Sequence, residues 1–265
     1  MNDNSTPLLQ LDSVGINFGG LRAVDDLNLS IKKGDVVGLI GPNGAGKTTV
    51  FNLITGVYKP TDGVIRWKGE PISGLPPYRI AQRRILRTFQ TIRLFSGMSV
   101  LENVLAGQHM ETHQTWFSGL LSLPKQRREE KALRKSCMEI LEQLDLASIA
   151  HEEATSLPYG IQRRVEMART LAAKPELLIL DEPAAGLNDS ESVELNKTIL
   201  GIRDQGVTVI LVEHDMNVVM NVTDHICVIN FGRKIAEGGP EDIRNNPQVI
   251  EAYLGSDDDD DEEAA

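Results

Sequence analysis

The segment GPNGAGKTT, residues 41–49, sets three glycines, one lysine and two threonines in a single short stretch. From Gly41 to Thr48 it fits the spacing G-x-x-x-x-G-K-[ST], with an apolar run before it and a helical pattern after it. Glycine at 41, 44 and 46 lets the backbone curl until successive N–H groups face inward, where side chains would block phosphate oxygens. The start of the following helix adds partial positive charge. Lys47 then reaches the β and γ phosphates of a nucleotide, and the Thr48 hydroxyl can hold Mg²⁺. The loop running through Gly41, Pro42, Asn43, Gly44, Ala45, Gly46, Lys47, Thr48 and Thr49 is therefore the candidate nucleotide-binding segment.

Two carboxylates and a histidine complete the chemistry. LLILDEP, residues 177–183, ends an apolar run on Asp181, which is placed to hold the magnesium that Thr48 contacts. Glu182, one residue on, can polarise a water for attack on the γ phosphate. His214 ends another apolar run, VILVEHD, and at the same sheet edge it would bond the γ phosphate and orient the water.

The elements that must carry these groups follow from periodicity. Residues 8–18 and 23–31 alternate as in a half-exposed antiparallel sheet. Residues 35–40, 176–183 and 207–215 are short β-branched apolar runs, each followed by a helical pattern, as buried parallel strands are. Such alternation predicts an α/β fold with its ligand at the carboxyl ends of the strands. Between them, about residues 92–170 read as an inserted helical subdomain, in which Leu133, Cys137, Ile140, Leu141 and Leu144 share one helix face. Residues 225–239 read as a hairpin turning at Phe231 and Gly232, followed by short helices to Gly255. The domain thus spans 7–255, and the tail 256–265 is expected to be disordered because its acids have nothing to bury.

Composition excludes several classes. The formal charge of −11 looks strongly acidic, but DDDDDEE at 257–263 supplies seven of those charges and the body is only mildly acidic. Bulk attraction to nucleic acid or anionic lipid is not expected. Two cysteines, Cys137 and Cys227, far apart and without ligand-like neighbours, argue against a disulfide framework or a zinc site. The N-terminus has no signal-like pattern and no apolar run is long enough to span a membrane, which predicts a cytosolic chain that meets the membrane through a protein partner.

Together the motifs resemble the ATP-binding cassette family. LPYGIQ at 157–162 occupies the place of that family's usual LSGGQ, before the Asp-Glu strand. The resemblance implies a P-loop NTPase core with an antiparallel β subdomain. It implies that Phe18 stacks on adenine, that Gln90 in RTFQ senses magnesium and couples to the membrane domain, and that AAGLN at 184–188 crosses a dimer interface. It also implies that backbone N–H groups of Tyr159 and Gly160 face ATP held by a partner chain. FGGLRAVDDL, RTFQTIRLFSGMSVLENV, YGIQRRVEMAR, DEPAAGLN and RNNPQVIEAYLG are more specific: they are similar to the ATP-binding subunits of bacterial branched-chain amino-acid importers, the LivG type. That implies ATP and Mg²⁺ as cofactors, a second ATPase subunit in a heterodimer, two membrane permeases and a periplasmic binding protein, at the cytoplasmic face of the inner membrane. Lipid or lipopolysaccharide exporter ATPases and soluble non-transport cassettes are the rivals. Pro158 for the signature serine, Asn188 for the usual interface aspartate and the acidic tail depart from the pattern.

Three other signals are set aside. His109 and His113 have the spacing of a metal pair on a helix but no third ligand. Arg79, Arg83, Arg84, Arg87 and Arg93 lack the interleaved aromatics of a nucleic-acid surface and read as internal ion pairs or partner docking. NKTI at 196–199 lacks the aspartate of a guanine-reading motif.

Overall fold

The computed structural model describes residues 6–88, 91–108 and 124–260. In chain order the strands are β1 (Leu9–Phe18), β2 (Leu21–Ile31), β3 (Val36–Ile40), β4 (Asp62–Trp67), β5 (Glu70–Pro71), β6 (Ile85–Arg87), β7 (Leu177–Asp181), β8 (Thr208–Val212), β9 (His225–Asn230) and β10 (Arg233–Gly238). The helices are α1 (Lys47–Ile54), α2 (Pro77–Gln82), α3 (Val100–Gly107), α4 (Pro124–Gln143), α5 (Tyr159–Ala172), α6 (Asp189–Asp204), α7 (Met216–Val222), α8 (Pro240–Arg244) and α9 (Pro247–Asp260). They fall into two compact units, one of residues up to Arg87, Glu176–Ala184 and from Ile202 onward, the other of Thr88–Pro175 and Ala185–Gly201.

The first unit holds two sheets. The six-stranded sheet has the order β10-β9-β3-β8-β7-β6, and the four-stranded sheet the order β2-β1-β4-β5. In the larger sheet β9, β3, β8, β7 and β6 run parallel, and only β10 is antiparallel to its neighbour. Every residue of β3, β7 and β8 is buried, which is why these strands read as continuous apolar runs rather than alternations. One hydrophobic cluster joins Leu9, Leu11, Leu27 and Ile65 of the smaller sheet to Leu39, Ile179 and Ile210 of the larger and to Phe51 and Ile54 of α1. The smaller sheet is antiparallel throughout. Phe231 and Gly232 link β9 to β10 with φ of 45° and 75°, the left-handed pair that a two-residue hairpin of right-handed twist requires.

The second unit is helical among its described residues. On α4, Cys137, Leu141 and Leu144 are buried on the face the periodicity picked out. Helix α3 begins with a capping box in which Ser99 and Glu102 satisfy each other's backbone N–H. Buried Asn103 accepts from the N–H of Phe95 at 2.8 Å and donates to its carbonyl at 3.2 Å, fixing the segment before α3. The insert read as 92–170 belongs to this unit, which also takes in residues 185–201 after β7.

At the C-terminus helix α9 extends to Asp260, past Gly255 and into the run read as disordered. Val249 and Tyr253 dock the helix on a cluster around Ile40 and Val228, and a helix anchored there propagates one residue at a time. Residues 261–265 lie outside the described residues, as do His109, His113 and Gln90.

Candidate nucleotide site

Four parallel strands of the first unit deliver their carboxyl ends to one edge. β3 leads into Gly41, β7 ends on Asp181 and is followed by Glu182, β8 is followed by Glu213 and His214, and β6 ends on Arg87. Of the residues singled out from sequence, Gly41 to Thr49, Asp181, Glu182, His214 and Phe18 all lie in this unit. Tyr159 and Gly160 lie in the second unit.

The loop after β3 is shaped by its walls. Gly41 has φ 152°, and a Cβ there would overlap the carbonyl oxygen of Ile229 on β9. Gly46, at φ 102°, is the N-cap of α1, where a Cβ would come within 2.8 Å of the Ala23 carbonyl. Gly44, at φ 75°, has open space instead. The N–H of Gly232 donates to the Ala45 carbonyl at 2.9 Å, so the β9–β10 turn braces the loop from behind. Helix α1 has no side-chain cap, so the donors of its first turn are left to whatever occupies the loop. Lys47 folds over this cradle and donates to the carbonyls of Gly41 at 2.6 Å and Pro42 at 2.9 Å. Burial pulls its pKa down, and the nearby carboxylates of Glu182 and Asp181 oppose that shift. Thr48 is exposed at the helix start.

Asp181 is buried and paired with Arg87, whose Nη2 lies 2.5 Å from its carboxylate. Arg87 also donates to Asn52 of α1 at 2.8 Å and lies over the Phe51 ring. Arg83 meets Glu70 at 3.6 Å, a second internal pair from the basic stretch. Glu182 adopts φ 47°, a left-handed conformation that side chains other than glycine, asparagine and aspartate seldom take. Its N–H donates to the carbonyl of Val212 on β8 at 2.9 Å.

After β8 comes a group that the sequence did not single out. Glu213 is fully buried, and its carboxylate accepts from the N–H groups of Ala184 at 2.5 Å, His214 at 3.1 Å and Asp215 at 3.5 Å. Burial raises its pKa, while those backbone donors and His214 pull the other way. An acid at the end of an apolar run reads as a solvated cap, so only its position inside VILVEHD could have marked it. The His214 side chain is mostly exposed, with Nδ1 3.9 Å from Glu213. Asp215 caps α7 through the N–H groups of Asn217 and Val218. At the end of β1, Phe18 is 42% exposed and meets Tyr58 edge to face, ring centroids 5.1 Å apart. Tyr58 was not foreseen, because it reaches Phe18 from a loop distant in the chain.

In the second unit α5 starts at Tyr159, with Pro158 as an N-cap that makes no side-chain hydrogen bond. Proline therefore stands just before the first helical turn rather than in it. Its carbonyl accepts from Ile161 and Gln162, both at 3.0 Å, and the Gln162 side chain turns back to the Leu157 carbonyl at 2.7 Å. A Cβ on Gly160 would lie 2.9 Å from a carboxylate oxygen of Glu191, the flexible end of a side chain that can shift aside. One turn on, Arg163 and Glu166 form a buried pair at 3.3 Å, and Arg163 also donates to the Tyr159 hydroxyl at 3.1 Å.

This strand edge sets a glycine-bearing loop and its lysine beside two carboxylates, and known proteins resemble the chain that carries it. The profile of the family described as "ABC transporter" matches residues 24–185, and that of "Branched-chain amino acid ATP-binding cassette transporter" matches residues 233–259. Similar proteins include the high-affinity branched-chain amino acid transport ATP-binding proteins BraF of Pseudomonas aeruginosa and LivG of Escherichia coli. Each is 48% identical over 252 residues, covering 95% of this chain and 99% of the relative. A probable branched-chain amino acid transport ATP-binding protein LivG of Archaeoglobus fulgidus is 36% identical over 251 residues, covering 95% and 96%. Among solved structures, the ADP conformation of an ATP-binding cassette of an ABC transporter superposes with TM-score 0.82 at 32% identity, covering 94% of this chain and 99% of that one. A nucleotide-free cassette from an ABC transporter gives 0.80 at 33%, covering 93% and 98%. The chain belongs to the ATP-binding cassette family of transporter ATPases.

Proposed function

We propose that this ATPase drives uptake of branched-chain amino acids, as the peripheral subunit of an importer at the cytoplasmic face of the inner membrane. The observation that carries the cargo assignment is the near full-length match to relatives named for branched-chain amino acid transport, supported by the C-terminal match at 233–259. Among the described residues no helix is long and apolar enough to cross a membrane, which agrees with permeases being separate chains. The partners we infer are two permeases, a periplasmic binding protein and a second, different ATPase subunit. The departures at Pro158 and Asn188 favour two unlike ATP sites.

In this reading ATP lies with its phosphates on residues 41–49, where Lys47 and the first-turn amides of α1 neutralise their charge. Phe18, steadied by Tyr58, gives adenine an aromatic face. Thr48 and Asp181 would hold magnesium. Both offer hard oxygen donors, and the described residues contain no cluster of three or more acidic, histidine or cysteine ligands, as suits an ion that takes much of its shell from water and phosphate. Bound there, the ion would offset phosphate charge. Glu182 polarises the attacking water and His214 orients it against the γ phosphate. Tyr159 and Gly160 present their N–H groups to ATP on the partner chain, and Gln90 couples the cycle to the permeases.

The test is Glu182→Gln in the assembled transporter. ATP should still bind, while hydrolysis falls about 10²- to 10⁴-fold, the usual loss on removing a general base. Turnover near that of the wild type would sink the role of Glu182. Uptake of labelled leucine, isoleucine or valine that does not depend on this chain would sink the cargo.

A further inference from the structure

Two features of this strand edge meet at one side chain. Glu182 is held at φ 47°, a conformation strained for a residue with a side chain, which persists only where its surroundings impose it. Two residues further, the N–H of Ala184 ends on the carboxylate of Glu213 at 2.5 Å. The other oxygen of that carboxylate takes the N–H groups of His214 and Asp215. We propose that Glu213 is a positioning residue for hydrolysis: a buried carboxylate that ties the turn carrying Glu182 to the turn carrying His214, so that the two groups acting on the water keep one fixed spacing.

Neutral side chains cannot do the same work. A carboxylate accepts at both oxygens, whereas an amide of the same shape accepts at one and presents an N–H₂ to the remaining donors. Ala184 and His214 belong to turns after different strands, β7 and β8, and the Glu182 N–H also donates to the Val212 carbonyl across them at 2.9 Å. That bond fixes the start of the first turn, and Glu213 fixes its far side. Both ends of the left-handed residue are thereby held, and the hydrogen bonds supply the constraint that its backbone needs. Asp215, capping α7 at the next position, locks the second turn from the other direction. The inference rests on the roles proposed for Glu182 and His214, but the tie itself does not.

The experiment compares Glu213→Gln and Glu213→Ala with wild type and with Glu182→Gln, all as full chains in the assembled transporter. ATP hydrolysis, ATP affinity and backbone amide exchange at 182–185 and 213–216 are measured. For Glu213→Gln we expect kcat to fall roughly 10- to 100-fold, the scale of a misplacement of about 1 Å, with ATP affinity held within about threefold. Amide exchange at Ala184 should speed up, and Glu213→Ala should be worse than Glu213→Gln on both readouts. Wild-type kcat in Glu213→Gln overturns the proposal, and this variant decides the matter if the alanine variant fails to fold. Equal losses of kcat and affinity also overturn it, because a general loss of structure would move both. If Glu182→Gln hydrolyses ATP normally while Ala184 exchange still accelerates in Glu213→Gln, the role of Glu182 has failed and the tie has not.

Discussion

At Lys47 the ammonium is bonded to the loop it guards. Its two carbonyl acceptors, Gly41 and Pro42, hold the charge over the cradle, where burial already disfavours it. Phosphate oxygens offer stronger, charged acceptors at the same place. One hydrogen bond to a charged group is worth roughly 1.5 to 3 kcal/mol. Lys47→Met should therefore weaken ATP binding by about 10- to 100-fold in a nucleotide titration, and an affinity within twofold of wild type would show that the backbone amides suffice. Arg87 gives a different prediction. It is the cation beside buried Asp181, and removing one partner of a buried pair typically costs about 3 to 5 kcal/mol. Arg87→Met should lower the melting temperature of the nucleotide-free protein by several degrees, and an unchanged melt would mean that Asp181 finds another partner.

Among the elements, α5 shows a helix start built without a polar cap. Pro158 stands at the N-cap without a side-chain hydrogen bond, and Tyr159 and Gly160 open the first turn, where helix N–H groups have no intrahelical acceptor. Pro158→Ser supplies a hydroxyl cap, worth about 0.5 to 2 kcal/mol to such a helix. Slower amide exchange over the first turn of α5 is expected, with tighter ATP binding at the site built on the partner's phosphate loop. No change in either would show that the proline already serves as well as a serine. A second joint lies between the sheets, where Asp25 on β2 accepts from Arg233 on β10 at 2.7 Å and from Arg22 at 3.1 Å. The hydrogen bond from Arg233, then that from Arg22, outweighs desolvation and holds its carboxyl below the usual carboxylate range. The unfolded chain then binds the proton more readily, so this contribution is present above the ordinary aspartate pKa of about 3.9 and is lost as pH falls through the lower folded value. Asp25→Asn should lower stability at neutral pH and flatten the acid limb, so that variant and wild type converge at low pH. Elements of this kind were unequally legible. The phosphate loop and β3, β7 and β8 announce themselves because glycine, lysine and unbroken apolar runs are demanded locally. β4 to β6 do not: β5 has two residues and β6 three, and β4 buries only Ile65 and Trp67 of its six. Glu213 and the left-handed Glu182 were illegible because their meaning depends on which turns the sheet order brings together, and spacing along the chain does not record that.

Over the whole molecule, charge and chemistry are segregated. The seven acids of 257–263 have no counterpart in the body, and like charges packed so closely repel one another. Removing 256–265 should leave ATP hydrolysis and the melting temperature unchanged while lowering solubility, whereas loss of transport on deletion would reveal a docking role. The two thiols are sealed in different units. Burial raises Cys137 to about 11 and Cys227 to about 12, so neither forms appreciable thiolate at neutral pH. Iodoacetamide should label neither in the native protein at pH 7.5 and both in denaturant. Rapid native labelling of either would mean that its unit opens far more readily than its packing implies.

The three loop glycines carry a last consequence, for the paths open to mutation. Gly41 is closed by the Ile229 carbonyl, Gly46 is crowded by the Ala23 carbonyl, and Gly44 meets nothing. An exhaustive substitution library should accordingly find position 41 monomorphic, position 46 nearly so, and position 44 open to asparagine and aspartate, which tolerate a left-handed backbone. The alphabet allowed to this loop is written by β2 and β9 behind it as much as by the phosphate in front. Drift in those strands therefore decides which spellings of the loop a descendant can ever sample.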